Sequence, residues 1–475
     1  ESSVIEDKKA VDFMLGQAYF MRAYMYYWMV LHHGGVPYLK VPQDKDKDDL
    51  YVKRNSTPEC FQFMIEDLDH AISLLPAKIA GSSSDYGRID QCFAKSWKAK
   101  TLLLKASPQF NPKRMYDNAY WKEAYVAAKE AYDFCVQNGI ALTENPADIW
   151  LQERGPEVIF PVIYSNPNRV ATWEYGTRPA SVSRDKPYHN PTWEFVKDFP
   201  MLDGKRYDDP TGKYYVGDEQ ALLKAFWKNR DPRFNRACLY NGREWPVAGR
   251  PADNRMYNAL GVSNADDQYG VNPNAGVNAA NNDIFSGMYN YKVSDLSLTQ
   301  DKVMTFDIDY ILMRFAEVMF IYAEAANENG HSDVAIDLLK QIRKRAGINE
   351  TSSNPEMKGK VYGLNPNMNQ TEMREAVREE RFIELLFEQK RLWDMRRWMI
   401  YDKLMNGQGK RHALVMNKQA DNTYTTYLFD RDNTPMITNQ NIYFLPMKRS
   451  EMSNNPNLEQ TKGWENGTFD PQAGL

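Results

Sequence analysis

The chain is 475 residues long, with 59 lysines and arginines against 63 aspartates and glutamates. A net charge of −4 and a pI near 6.0 exclude a nucleic-acid partner held by a broad basic field, and the length allows a large core in one big domain or two. Aromatics make up 13% of the residues, which implies an aromatic-heavy core or planar surface set aside for recognition.

Residues 5 to 33 predict one strong helix. Phe13, Phe20, Tyr24, Trp28 and Leu31 crowd it on several sides, and a helix apolar nearly all round packs between others. Gly34 and Gly35 end it, and Val36-Pro37 start an extended segment. The run Asp44 to Asp49 alternates like a calcium loop. Asp49 stands where such a loop needs glycine and Asn55 where it needs glutamate, so a solvated loop is expected. Thr57-Pro58-Glu59 opens a second helix, with a cap and a proline at its first position, that stops at Pro76. A third helix is predicted from about Asp90 to Ala106 and a fourth from about Trp121 to Gln137. Pairs at this spacing suggest antiparallel helical hairpins of the tetratricopeptide kind, although the repeat pattern itself is not visible.

From Asn138 to Phe306 proline and glycine become frequent and helical periodicity fades. Short strands are predicted at Glu157–Ile163 and Met288–Val293. An insert this long and this aromatic, carried on a rigid scaffold, is where function is expected. Helical pattern returns at Tyr310, stops at Gly330 and resumes from Asp333 to Gly347.

The stretch Thr371 to Asp402 predicts one long helix, or two with little break, with Thr371 as N-cap. Arg381 and Glu384, Glu388 and Arg391, and Arg391 and Asp394 are each three apart, so each pair can meet on the helix surface. Phe382, Leu386, Trp393 and Trp398 flank these charges. Buried charges must be paired, so a structural ion network at a helix junction is expected, joined by Arg314, Glu317 and Glu324.

REERFIELLFEQKRLWDMRRW in this stretch resembles the C-terminal helical motif of the RagB/SusD family of bacterial surface nutrient-binding proteins. AYFMRAYMYYWMVLHHGGVPYL, NPTWEFVKDFPMLDGKRYDD, RDPRF, YILMRFAEVMFIYAEAANENG and YFLPMKRSEMSNNPNLEQTKGW match further family pieces in order. The resemblance implies a mainly α fold, a tetratricopeptide-like hairpin scaffold with a large irregular insert containing short β-strands. Residues 1–137 would form the N-terminal helical scaffold, 138–306 the ligand-binding insert, and 307–475 the C-terminal scaffold and closing segment. It further implies a non-catalytic protein, lipid-anchored on the outer surface of a Bacteroidetes-type outer membrane. Such a protein captures a glycan, or in some members a peptide, as the lid of a SusC-type TonB-dependent transporter. Family members carry a signal peptide, a lipidated cysteine and a helical region ahead of the first helix seen here. The chain opens ESSVIEDKKA without them, so a truncated or mature form is expected.

The residues themselves support few other chemistries. Cys60, Cys92, Cys135 and Cys238 are scattered with no CxxC or Cys/His cluster, so no metal and no cofactor is expected. There is no GxSxG, HExxH, P-loop or dinucleotide fingerprint, while a distant pair of carboxylates keeps a glycoside-acting enzyme open as the alternative. Sugars present apolar C–H faces to aromatic rings and hydroxyls to directional polar groups. On that ground Trp245, Tyr257 and Tyr269 are the expected stacking platforms, with Arg250, Asp253 and Asn254 as polar partners and Trp173 and Tyr289 beside them. Ordinary loop packing is the competing reading for each ring.

Overall fold

The computed structural model describes residues 7–183, 189–249, 255–259, 286–349, 361–432 and 434–475. Helices dominate it. Helix α1 (Lys8–His33) pairs with α2 (Thr57–Leu74), and α3 (Gln91–Ala106) with α4 (Tyr120–Gln137). After strand β1 (Val158–Val162) come the short helices α5 (Trp173–Thr177), α6 (Trp193–Lys197), α7 (Glu219–Lys224) and α8 (Pro232–Ala237). Strands β2 (Cys238–Tyr240), β3 (Met288–Asn290) and β4 (Tyr310–Arg314) lead into α9 (Phe315–Glu328) and α10 (Ser332–Ala346). The chain closes through α11 (Gln370–Glu384), α12 (Arg391–Arg397), α13 (Tyr401–Gln408), the hairpin β5 (His412–Lys418) and β6 (Tyr424–Asp430), and α14 (Arg449–Asn454).

The hairpins α1/α2, α3/α4 and α9/α10 share one core, as their apolar periodicity predicts. Trp97 on α3 anchors it, with the rings of Tyr24 and Tyr27 at 4.7 and 5.0 Å. Helix α9 is buried along its whole length, because α3, α4, α10 and α11 all pack on it. The β1 strand pairs antiparallel with β4, and Phe160 stacks on Phe93 at 4.1 Å, so the first part of the insert is stitched into the scaffold. A second core joins the insert to the closing segment. Trp193, Phe226 and Phe234 pack there with Leu414 and Met416 of β5 and with Ile383 and Leu386.

The stretch from 371 to 402 differs from its expected form in two ways. Its cap is Asn369 and not Thr371: the Asn369 side chain accepts from the Glu372 amide, and Glu372 closes a capping box back onto the Asn369 amide. Asn369→Ala is expected to cost about 1 kcal/mol of stability, read by urea unfolding. The helix also stops at Glu384, with Phe387 and Gln389 at a φ of +59° before α12 starts.

The charges pair mostly with other elements. Arg314 on β4 donates to Glu157 (2.6 Å), Glu384 (2.9 Å) and Glu388 (2.7 Å). Arg345 bridges Glu157 (2.9 Å) and Glu384 (2.5 Å), and Lys292 meets Glu388 at 2.7 Å. Arg233 contacts Asp231 (2.7 Å), Glu380 (2.6 Å) and Glu384 (3.1 Å), and Arg343 shares Glu380 at 2.6 Å. The connected set is therefore balanced. Arg233, Lys292, Arg314, Arg343 and Arg345 make five cations, and Glu157, Asp231, Glu380, Glu384 and Glu388 make five carboxylates. A neighbouring set ties Arg397 to Glu324 and Asp394, and Arg381 to Asp394. The expected buried network exists, but apart from Asp231–Arg233 and Asp394–Arg397 its pairs join residues far apart in sequence. Arg391 has no ion-pair partner among the described residues and instead lies 3.3 Å above the Phe382 ring.

Candidate functional site

The expected ligand residues fall into three groups. Arg250, Asp253, Asn254 and Tyr269 lie outside the described residues. Trp245 and Tyr289 are 0% and 1% exposed and pack with Val182, Leu239, Val247 and Met256. Neither ring offers a face to a ligand, so for these two core packing replaces the stacking role. The cause is the β2–β3 pairing, whose register sets Tyr289 opposite Leu239 and draws the residues after β2 over this small core. Tyr257 and Trp173 remain half-buried. Trp173 opens α5 with its ring edge-on to Tyr164 and Phe306 at 5.4 and 5.3 Å, and its indole N–H is buried without an acceptor among the described residues.

Cavities form instead along the seam where the insert meets the C-terminal helices. One, of about 270 Å³, lies between the turn that starts at Pro146, helix α8, the loop after β3 and the end of α11. Ile149, Leu151, Leu296, Ile383 and Leu386 give it a largely apolar bed. Tyr291 joins this lining and carries the Arg243 guanidinium 4.3 Å from its ring centroid. Arg236, from the last turn of α8, also lines it. Its Nη1 is buried with no hydrogen-bond partner among the described residues, and burial beside Arg345 lowers the guanidinium pKa.

A second cavity of about 190 Å³ lies on the other side of Ile383, which lines both. Its walls carry both signs of charge. Burial pulls the Arg391 pKa down to about 10 and pushes the Asp198 carboxyl up. Among the described residues no cluster of three or more histidine, cysteine, aspartate or glutamate side chains is placed to hold a metal ion, and no helix is long and apolar enough to cross a membrane.

Sequence reasoning missed Tyr291 and Arg236. Tyr291 sits inside the predicted strand 288–293, where alternation says which residues share a face but not which face meets the scaffold. Arg236 closes a helical turn in which a cation is favoured by the helix dipole anyway, so its lack of a partner leaves no mark in the sequence.

Comparison with known proteins places these features in context. The model of the SusD family matches residues 156–464, and a second model, described as starch-binding associating with outer membrane, matches residues 2–88. SusD-like protein P2 of Formosa agariphila is 22% identical over 458 residues, which span 95% of this chain and 75% of that protein. A SusD-like protein of Bacteroides fragilis superposes with a TM-score of 0.71 at 22% identity, covering 96% of this chain and 81% of the other. A SusD-like carbohydrate binding protein of the same species has a TM-score of 0.71 at 19% identity, again covering 96% and 81%.

Proposed function

The chain belongs to the SusD family, and on that premise we propose that it is a non-catalytic cell-surface protein that captures an oligo- or polysaccharide. It hands this glycan to a SusC-type TonB-dependent transporter, for which it acts as the lid, and a lipid anchor holds it at the outer membrane. The observation that carries the reading is the seam cavity, whose apolar bed adjoins Tyr291 and a rim of charged side chains. A pyranose has this mixed character, with flat C–H faces and a polar edge. Trp173 and Tyr257, still half-exposed, are retained as further contacts on the insert.

The test is binding to a panel of polysaccharides and oligopeptides by affinity electrophoresis and calorimetry. Tyr291→Ala is expected to weaken glycan binding about fivefold, the worth of roughly 1 kcal/mol of ring contact, without loss of fold. Unchanged affinity would remove the seam cavity from the site, and release of shortened products would make the protein an enzyme. A peptide ligand is the second reading. The mixed-charge cavity favours it, since Arg391 and Asp198 lack ion-pair partners among the described residues and suit the two charged ends of a short peptide.

A further inference from the structure

Arg236 is the odd charge out. The five cations and five carboxylates around Arg314 and Glu384 balance one another in charge, and Arg236 lies next to them as a sixth cation. The acids nearest to it are engaged elsewhere: Asp231 holds Arg233 at 2.7 Å, and Glu384 holds Arg345 at 2.5 Å. Arg236 has neither an ion pair nor a hydrogen bond among the described residues, and its Nη1 is closed off from solvent. A buried guanidinium N–H without an acceptor is costly, and the last turn of a short helix supplies a favourable field but no acceptor.

Nη1 is sealed from the cavity as well, so what Arg236 offers there is its other N–H groups, and the cavity narrows what acceptor they can take. Its volume of about 270 Å³ is on the scale of a small-ligand site and far above that of a single water. The bed is hydrocarbon, from Ile149, Leu151, Leu296 and Leu386, so a compact, fully hydrated dianion would leave oxygens facing apolar walls. Asp295 and Glu384 line the same space and repel a second negative charge. A single carboxylate carried on a ring with an apolar face meets all three conditions. It pairs with a guanidinium through charge-assisted bonds while the ring covers the hydrocarbon.

We propose that the seam cavity is a carboxylate site in which Arg236 pairs with an acidic sugar, a hexuronate unit of the captured glycan. The assignment rests on the glycan-binding reading above. It makes Arg236 a specificity determinant for acidic over neutral glycans.

Calorimetry at fixed salt tests it with four ligands: an oligogalacturonate, its methyl ester, a neutral hexose oligomer of equal length, and cyclohexanecarboxylate. The wild-type chain is expected to bind the oligogalacturonate at least tenfold more tightly than the methyl ester. Arg236→Gln should abolish that preference, and Arg236→Lys should keep part of it. The thermal midpoint of Arg236→Gln should not fall, because the native side chain makes no bond that the substitution removes. Equal affinity for acid and ester, or a preference that survives in Arg236→Gln, overturns the proposal. Binding of the neutral oligomer alone overturns it and leaves the glycan reading standing. Binding of cyclohexanecarboxylate, lost in Arg236→Gln, with no glycan bound, supports the carboxylate site and overturns the glycan reading.

Discussion

Glu384→Gln is expected to lower the unfolding free energy by about 3 kcal/mol, near the lower end of what breaking a buried ion pair costs. Glu384 faces Arg314 at 2.9 Å, Arg345 at 2.5 Å and Arg233 at 3.1 Å, and all four side chains are almost fully buried. Burial alone would raise its pKa, yet these guanidinium groups hold the carboxyl far below the usual range. Glutamine keeps the shape and removes the charge, so the balanced set is left with one cation in excess. Arg314 and Arg345 still reach Glu157, and Arg233 still reaches Asp231, which is why the loss stays near the lower end. Urea unfolding reads the change. A loss under about 1 kcal/mol, the size of a surface pair, would show that the network is not dry.

Glu324→Ala should cost a comparable amount, about 3–5 kcal/mol. Glu324 on α9 accepts from both Nη atoms of Arg397 at 2.6 Å and from the Trp398 indole at 2.7 Å, and so fastens α12 to the central helix. The alanine variant strands a buried indole N–H and leaves Arg397 with Asp394 at 2.9 Å. The same carboxylate shapes the acid limb of stability. Arg397 holds the Glu324 pKa below its ordinary value despite burial, and neighbouring cations do the same for Glu380, Glu384 and Glu388. A carboxyl lowered in the folded state contributes stability above its unfolded pKa of about 4.3 and loses it as pH falls toward the folded value. Asp90 and Asp309, each pushed up to about 6 by burial, act in the opposite sense, so acidification from about 6 toward 4 relieves them. The melting temperature of the wild-type chain is therefore expected to hold until about pH 4 and drop below it. Glu324→Ala should start lower and drop less steeply, and an acid limb as steep as the wild type's would remove Glu324 from the network.

The periodic helices were legible because their reason is local. Apolar residues recurring through 5–33, 57–75, 90–106 and 121–137 mark faces that must be covered, and α1 to α4 lie within a few residues of those bounds. The helix predicted from Tyr310 starts only at Phe315, because Tyr310–Arg314 pairs with β1 as strand β4. The predicted strands at 157–163 and 288–293 appear as β1 and β3. The β5–β6 hairpin went unread. Its partners are Trp193 and Phe226 of the insert, far away in sequence, and that packing decides where it sits.

The candidate site was less legible than the fold. Trp245 looked like a binding platform because a tryptophan in a proline- and glycine-rich stretch carries no local sign of burial. Only the Met256 and Tyr289 side chains that close over it make it core. The charges of the 371–402 stretch posed the same difficulty. Spacing allowed Arg381 to meet Glu384 within α11, but Glu384 pairs with Arg314 and Arg345 from other elements, and beyond the turn with two residues at positive φ Asp394 pairs with Arg381.

Periodicity located the helices and the charge pattern called for a buried ion network, since each follows from neighbours within a few residues, while the tetratricopeptide-like hairpin scaffold was what the resemblance to the RagB/SusD family implied. The three-dimensional arrangement chose the partners of those charges, enclosed Trp245, opened a cavity beside Tyr291 and left Arg236 without an ion pair among the described residues. Those outcomes depend on which distant side chains occupy the same few ångströms, and pairing at that distance is set by packing and electrostatic balance rather than by order along the chain.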